Sequence, residues 1–227
     1  MKNLIKTANS NSPPIAEYDR VIYNPITDNV VVMGGAYVDL GLPSGLKWAK
    51  CNIGAARETD YGYYFQWGEA EPQDTNIPFN WTTYKHCNGS ERTLTKYCTN
   101  SYYGTVDNKT TLDPEDDAAT QIMGGAWRMP TEVEFRELLD NTTIGSATIN
   151  GVKGRKFTSK ADTSKYIFIP LAGICYDGDV WNEGYAVRVR TSSLYTTGPY
   201  YAWSFNTDHI DNSIYRCHGQ SVRGVRK

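Results

Sequence analysis

Four groups of residues in this chain have side chains that could do chemistry. They are Cys217 beside His218, His86 beside Cys87, the pair Asp177 and Asp179, and the acids Asp113, Glu115, Asp116 and Asp117. A thiol next to an imidazole is the makings of a nucleophile and its base. Two carboxylates close together can divide acid and base roles. A run of acids supplies the oxygen donors that calcium takes. Each group also has a simpler reading. Adjacent residues on a strand face opposite ways, so neither Cys–His pair meets on a strand. A Gly between two acids marks a turn. Acids in a first helical turn complement the helix dipole, and a calcium loop needs oxygens at alternating positions around a Gly. No catalytic residue, metal or cofactor is assigned from these groups. The five cysteines are odd in number, without a Cys-x-x-Cys pair or a His at metal spacing. They read as reduced, mostly buried thiols, with one Cys87–Cys98 bridge as the alternative.

A stronger signal is compositional. Between Gly184 and Gly219 lie 36 residues without one Lys, Glu, Gln or Met, although the whole chain holds 30 of those four types. Composition alone would place about five there. Tyr, Ser, Thr, Asn, Asp, Arg, His and a Cys fill the stretch instead. Tyr, Ser and Asn are favoured on binding surfaces, because they combine rigid contact area with adaptable hydrogen bonds at low entropic cost.

The wider chain bounds what such a surface could meet. At 227 residues it is one large domain, or one domain with an appendage, and can bury a real core without disulfides or metals. A net charge of -2 and a pI near 5.9 leave no electrostatic footprint for nucleic acid or an anionic membrane. No stretch approaches a membrane span. The first ten residues hold no apolar run of signal-peptide length, so the chain reads as a cytosolic product that acts outside a cell if packaged into a particle or given an export signal. Seventeen Tyr against six Phe tilt the aromatic content toward rings with a polar tip, suited to half-exposed positions.

The elements that must position these residues are short. Residues 1–14 read as disordered or extended. Arg20 to Tyr23 and Asn29 to Met33 are strand candidates around an Asn-Pro turn, and Gly34-Gly35 reads as a hinge. Residues 1–35 are too few to fold alone and form a leader or arm. Leu46 to Cys51 alternates as a strand, and residues 70–110 read as a loop-rich insertion. Two helices are predicted. One follows Asp113 as cap with Pro114 at its first position; the other runs from Thr131 to Leu139, with Thr131 and Glu134 spaced as a capping box. Short strands follow at Ile149–Lys153, Arg155–Ser159 and Tyr166–Pro170. Few helices, many short strands and long loops make an α+β domain over residues 36–227.

Several separated motifs then occur in series: Tyr37-Val-Asp-Leu-Gly-Leu-Pro-Ser-Gly-Leu-Lys-Trp-Ala-Lys-Cys-Asn-Ile-Gly-Ala55, Asp60-Tyr-Gly-Tyr-Tyr-Phe-Gln-Trp-Gly-Glu69, Trp127-Arg-Met-Pro-Thr-Glu132 with Glu134-Phe135 and Glu137-Leu138-Leu139, Ser192-Ser-Leu194, Ala202-Trp203, Phe205, and Arg216-x-x-Gly-Gln-Ser-Val-Arg223. Together they resemble the bacterial "major paralogous domain" family first named from a Fibrobacter genome. That resemblance implies a C-type-lectin-like fold, in the branch that also holds formylglycine-generating enzymes and the variable proteins of diversity-generating retroelements. It covers about residues 36–226. Gly184 to Arg190 and Gly224 depart from the family pattern. In some members of the branch a reverse transcriptase rewrites the C-terminal segment at template adenines. Asn codons then become Tyr, Ser, Asp, His, Cys or Arg, but never Lys, Glu, Gln, Met or Trp. The composition of residues 184–219 fits that substitution rule, apart from Trp203, which falls in the Ala-Trp pair of the family pattern.

On this reading Ala202, Phe205, Val222 and Val225 are scaffold. The expected ligand-facing set is Tyr195, Tyr200, Tyr201, Ser204, Asn206, Asp208, His209, Asp211, Asn212, Tyr215, Cys217 and His218, with Trp181, Arg188 and Arg190 in second rank. The resemblance implies a non-enzymatic receptor-binding protein on a phage particle or bacterial surface. Its partner is expected to be a cell-surface protein or glycan, not nucleic acid, with residues 1–35 as an attachment or homo-oligomerisation arm. The tail has no Glu-Pro-Asn or Gln-Pro-Asp triplet of calcium-dependent sugar-binding lectins. A fixed adhesin or structural paralogue without diversification is the alternative. A formylglycine-generating type of enzyme ranks below both, since no second Cys lies near Cys217 in sequence.

Overall fold

The computed structural model describes residues 20–24, 29–33 and 37–227. The leader 1–14 and the Gly34-Gly35 hinge lie outside the described residues. Strands β1 (Arg20–Asn24) and β2 (Asn29–Met33) pair antiparallel, where two strand candidates were predicted. β3 (Tyr37–Asp39) and β4 (Lys47–Ala49) follow. Residues 50–113 carry only isolated bridges, as the insertion predicted at 70–110 requires. After a 3₁₀ turn at Pro114–Asp116 come α1 (Ala118–Met123) and α2 (Glu132–Asn141). Then come β5 (Thr142–Ile149), β6 (Val152–Ser159), β7 (Tyr166–Pro170), β8 (Ile174–Tyr176), β9 (Asp179–Trp181), β10 (Arg188–Leu194), β11 (Tyr201–Asn206), β12 (His209–Tyr215) and β13 (Val225–Arg226). The architecture is α+β, with small antiparallel sheets of order β13-β4-β3, β5-β6-β7, β8-β9 and β10-β11-β12. Among the described residues no helix is long and apolar enough to cross a membrane.

Local sequence accounts for most element ends. At α2, Thr131 accepts from the Glu134 amide at 3.3 Å and Glu134 accepts from the Thr131 amide at 2.8 Å, so the predicted capping box forms. Thr131→Ala is expected to cost about 1 kcal/mol and lower the melting temperature by about 2–4 °C, readable by circular dichroism. The preceding helix differs from expectation. Pro114 begins only a 3₁₀ turn, whose cap Asp113 makes no side-chain cap bond, and α1 is capped by Asp117, which accepts from the Thr120 amide at 2.8 Å. The predicted strand Ile149–Lys153 is instead cut by a turn. Asn150 and Gly151 both take positive φ (49° and 83°) and close the β5–β6 hairpin, a conformation that an Asn-Gly pair supplies with little strain.

Two large apolar clusters, with a smaller third around Tyr64, Phe79, Ala172 and Cys175, hold these pieces together. Trp48, Phe135, Leu138, Phe157, Val189, Phe205 and Val225 form one, with Phe135 stacked on Phe205 at 5.3 Å. Phe65, Trp67, Tyr97, Met129, Leu194, Ala202 and Val222 form the other. The expected scaffold residues Ala202, Phe205, Val222 and Val225 are therefore core. Because β13 pairs with β4, the C-terminal segment is clamped to the start of the domain.

Candidate functional site

The sheet β10-β11-β12 carries most of the expected site. Its register sets Val189, Phe205 and Ile210 in one row, packed into the core with α2. The rows on either side, Arg188–Asn206–His209 and Arg190–Ser204–Asp211, take the opposite face, as strand alternation requires. The register shifts between Ala202 and Ser204, where β12 carries one extra residue; Ala202 and Phe205, an odd number of residues apart on β11, take opposite faces and enter different apolar clusters.

Part of the opposite face is covered. The turn from Tyr215 to His218, closed by the His218 amide on the Tyr215 carbonyl at 3.2 Å, is bonded to Arg190. Nη2 of Arg190 donates to the carbonyls of Tyr215 (2.5 Å) and His218 (2.8 Å). Arg190 and Ser204 are 0% exposed and Cys217 is 1% exposed. This corrects the expectation that these three face a ligand. Alternation decides which side of a sheet a residue takes, but not whether another segment lies over it.

What remains exposed is a continuous run of aromatic rings. Tyr102 meets Tyr103 at 5.0 Å between centroids, Tyr103 meets Tyr200 at 4.8 Å, and Tyr200 meets Tyr201 at 4.4 Å. Tyr201 stacks on Tyr215 at 4.9 Å, and Tyr215 meets His218 edge-on at 5.3 Å. His218 stacks on Tyr176 at 5.0 Å, which stacks on Trp181 at 5.1 Å. Trp81 joins at Tyr215. Tyr102, Trp181 and Tyr215 are exposed and the others half-buried. Burial, with a hydrogen bond to Tyr215, pushes Tyr201 up to about 12, and a hydrogen bond to Tyr200 raises Tyr103, so these phenols stay neutral at physiological pH.

The structure thus brings Tyr200, Tyr201, Tyr215, His218 and Trp181 onto one ridge. Tyr195 sits apart, edge-on to Trp203 at 5.4 Å. Arg188, Asn206 and Asp211 form an internal polar cluster beside the ridge: Arg188 Nη1 lies 3.1 Å from Asp211 and Asn206 donates to the same oxygen at 3.3 Å. Asp208 and His209 form an exposed pair at the β11–β12 turn, and Asn212 is half-buried on β12. Four ridge members, Trp81, Tyr102, Tyr103 and Tyr176, lie outside the compositionally unusual segment and were missed in sequence. The Tyr102-Tyr103 pair in an otherwise polar loop was the available signal.

Two further arginines are fully buried. Arg216 donates to the Tyr84 hydroxyl and to the carbonyls of Tyr97, Pro199 and Lys96, and packs against the rings of Trp67 and Tyr84. Arg223 donates to Asn52 Oδ1 and to the carbonyls of Ala49, Lys50 and Phe168. Gly219 lies between them in sequence, and a Cβ there would come within 2.5 Å of the Phe79 ring, so the backbone passes too close for any side chain.

The Cys–His pairs and the acidic cluster make contacts within the protein. All five cysteines are free. Burial pushes the Cys217 thiol up to about 12. His86 bonds the Gly68 carbonyl at 2.9 Å, while the Cys87 thiol donates to the Trp81 carbonyl. Asp113, Glu115 and Asp116 do converge, but around the ammonium of Lys96, at 2.7, 3.2 and 2.6 Å. Burial opposes ionisation of Asp116, yet bonds from Lys85, Lys96 and Tyr97 hold it below the usual carboxylate range. A protein cation thus occupies the position that a metal would take.

Burial lowers both His86 and His218 to about 4, because the imidazolium would lose its hydration. With unfolded values near 6.5, the unfolded chain binds more protons between about pH 4 and 6.5. Stability is therefore expected to be flat above about pH 7 and to fall on acidification through that window, by up to about 1.4 kcal/mol per pH unit for each histidine. Urea titrations from pH 4 to 8 should show this slope, roughly halved in His86→Gln. A flat profile above pH 4.5 would contradict the assignment.

A cleft of about 520 Å³ lies elsewhere, lined by Lys153, Arg155, Leu171, Tyr185 and Thr207. The ridge is not a pocket, so a ligand there meets a surface. Comparison with known protein families, with curated proteins and with solved structures finds no match to this chain.

Proposed function

We propose that this chain is a non-enzymatic binding protein of C-type-lectin-like fold. Its C-terminal face descends from a hypervariable, retroelement-diversified surface and engages a cell-surface protein or glycan. The observation that carries this reading is the aromatic ridge. Five of its rings come from or border the segment that lacks Lys, Glu, Gln and Met, and two of them, Tyr201 and Tyr215, face each other across the paired strands β11 and β12. Rings held at one end and open at the other give contact area at little entropic cost, and the flanking Asn206, Asp208, His209 and Asp211 add directional hydrogen bonds. Display on a phage particle or bacterial surface, with residues 1–35 as the attachment or oligomerisation arm, completes the reading.

Sequencing the locus and its flanks in many isolates tests the diversification. Codon changes confined to adenines at ridge and flanking positions, beside a reverse-transcriptase gene and a near-repeat, are the expected result. An invariant segment without those neighbours would reduce the function to a fixed adhesin or structural paralogue.

A further inference from the structure

Three guanidiniums are fully buried in this domain, and they are not treated alike. Every nitrogen of Arg216 and of Arg223 donates to an oxygen. Arg190 uses only Nη2, and its Nε and Nη1 have no hydrogen-bond partner. Directly across the strand pair, the Ser204 hydroxyl is also buried and unpartnered. On the same face, two residues along β10, Arg188 leaves its Nε unpartnered while its Nη1 pairs with Asp211. Arg190, Ser204 and Arg188 thus leave donors unpartnered on this face, and the buried amide of Gln220, next to the Ser221 whose carbonyl accepts from the Arg190 backbone, is unpartnered as well.

The charge is unbalanced as well. Asp211 offsets Arg188, but among the described residues no carboxylate lies within ion-pair distance of Arg190. The other ionisable groups that face it are Cys217 and Tyr84, both held neutral by burial, and the cation Arg216. Burial draws Arg190 down to about 9, which leaves it charged at neutral pH. A buried cation with free N–H groups is costly unless an anion or a set of acceptors meets it.

We propose that one unpaired N–H edge of Arg190, with the hydroxyl of Ser204, binds one small monovalent anion, chloride or a close equivalent, in the interior beneath the aromatic ridge. The choice of a free ion over the acidic group of a larger ligand follows from the complete burial of both residues, since a tethered group has no route to them in the folded state. A single ion supplies what a water cannot: it cancels the charge. It also fixes the guanidinium whose Nη2 holds the Tyr215–His218 turn, so the ion is a structural part of the ridge's support.

The test uses the full chain at constant ionic strength, with sodium gluconate replaced stepwise by sodium chloride or bromide. The melting temperature is expected to rise along a saturating curve, as for any ligand bound only by the folded state. Ser204→Ala should move the chloride midpoint about fivefold higher, the loss of one hydrogen bond. Ser204→Asp, which places a carboxylate opposite Arg190, should remove the chloride dependence. Crystals grown in bromide should show an anomalous peak within hydrogen-bond reach of Arg190 and Ser204. If chloride and gluconate give the same melting temperature and bromide leaves no peak, water satisfies these donors and the proposal fails. Those two measurements need only the unsubstituted protein, so they decide the matter even if Ser204→Asp does not fold.

Discussion

Arg216→Met is expected to remove at least about 4 kcal/mol of stability, enough to leave much of the protein unfolded or aggregated at 37 °C. The apolar part of the side chain is nearly preserved by Met, so the effect isolates the guanidinium. That group donates to Lys96 and Tyr97 in the long insertion, to Tyr84 nearer its start, and to Pro199 between β10 and β11. Without it, three buried carbonyls and a phenol lose their donor, each at about 1–3 kcal/mol. No strand pairing ties the Tyr84–Tyr97 stretch of the insertion to the sheets, so no other backbone ladder makes up the loss. Denaturant midpoints would measure it, with Arg92→Met, at an exposed position, as the control. A change below about 1 kcal/mol would mean that the insertion is held by its apolar residues alone.

The second large effect is on binding. The triple substitution Tyr200→Ala, Tyr201→Ala and Tyr215→Ala is expected to abolish binding, by at least about 100-fold, while the fold is retained and the melting temperature falls by roughly 10 °C. The three rings pack mainly on one another and on ridge neighbours; none belongs to an apolar cluster. Truncating them removes partly exposed ring–ring contacts, each worth about 0.5–1.5 kcal/mol, and opens no cavity in the core. The readout is retention on the glycan-array spots or bacterial cells that the unsubstituted protein selects. Unfolding of the triple variant would place these rings in the core and remove the ridge as the binding face. Retained binding with an intact fold would move the site elsewhere, with the cleft at Arg155 and Tyr185 the next surface to examine.

The two predictions divide the tail between them, although its residues are interleaved in sequence. Tyr215 and Arg216 are neighbours; one belongs to the ridge and the other is fully buried. Cys217 is buried and His218 returns to the ridge. Within this four-residue turn two side chains go to the scaffold and two to the surface, which is how a tail of uniform composition can contain both.

The features determined by the sequence alone are those that depend on near neighbours along the chain. The α2 capping box, the strand candidates at 20–23 and 29–33, the irregular insertion and the mixed architecture follow from spacing, turn chemistry and propensity, which act within a few residues. The Asn150-Gly151 turn and the Asp117 cap carry equally local signals, but the expected strand Ile149–Lys153 ran through the first and the cap was expected at Asp113 instead of the second. Only the tertiary structure decided which polar residues of the tail are covered. Arg190, Ser204 and Cys217 have the same types and spacing as their exposed neighbours, and are buried because the Tyr215–His218 turn folds back over β10. Likewise Tyr102, Tyr103, Trp81 and Tyr176 join the ridge because a long insertion and a distant hairpin pack beside the sheet. Composition along the chain records which residues are available to a surface; which of them share it is set by contacts between segments far apart in sequence, and no local pattern encodes those.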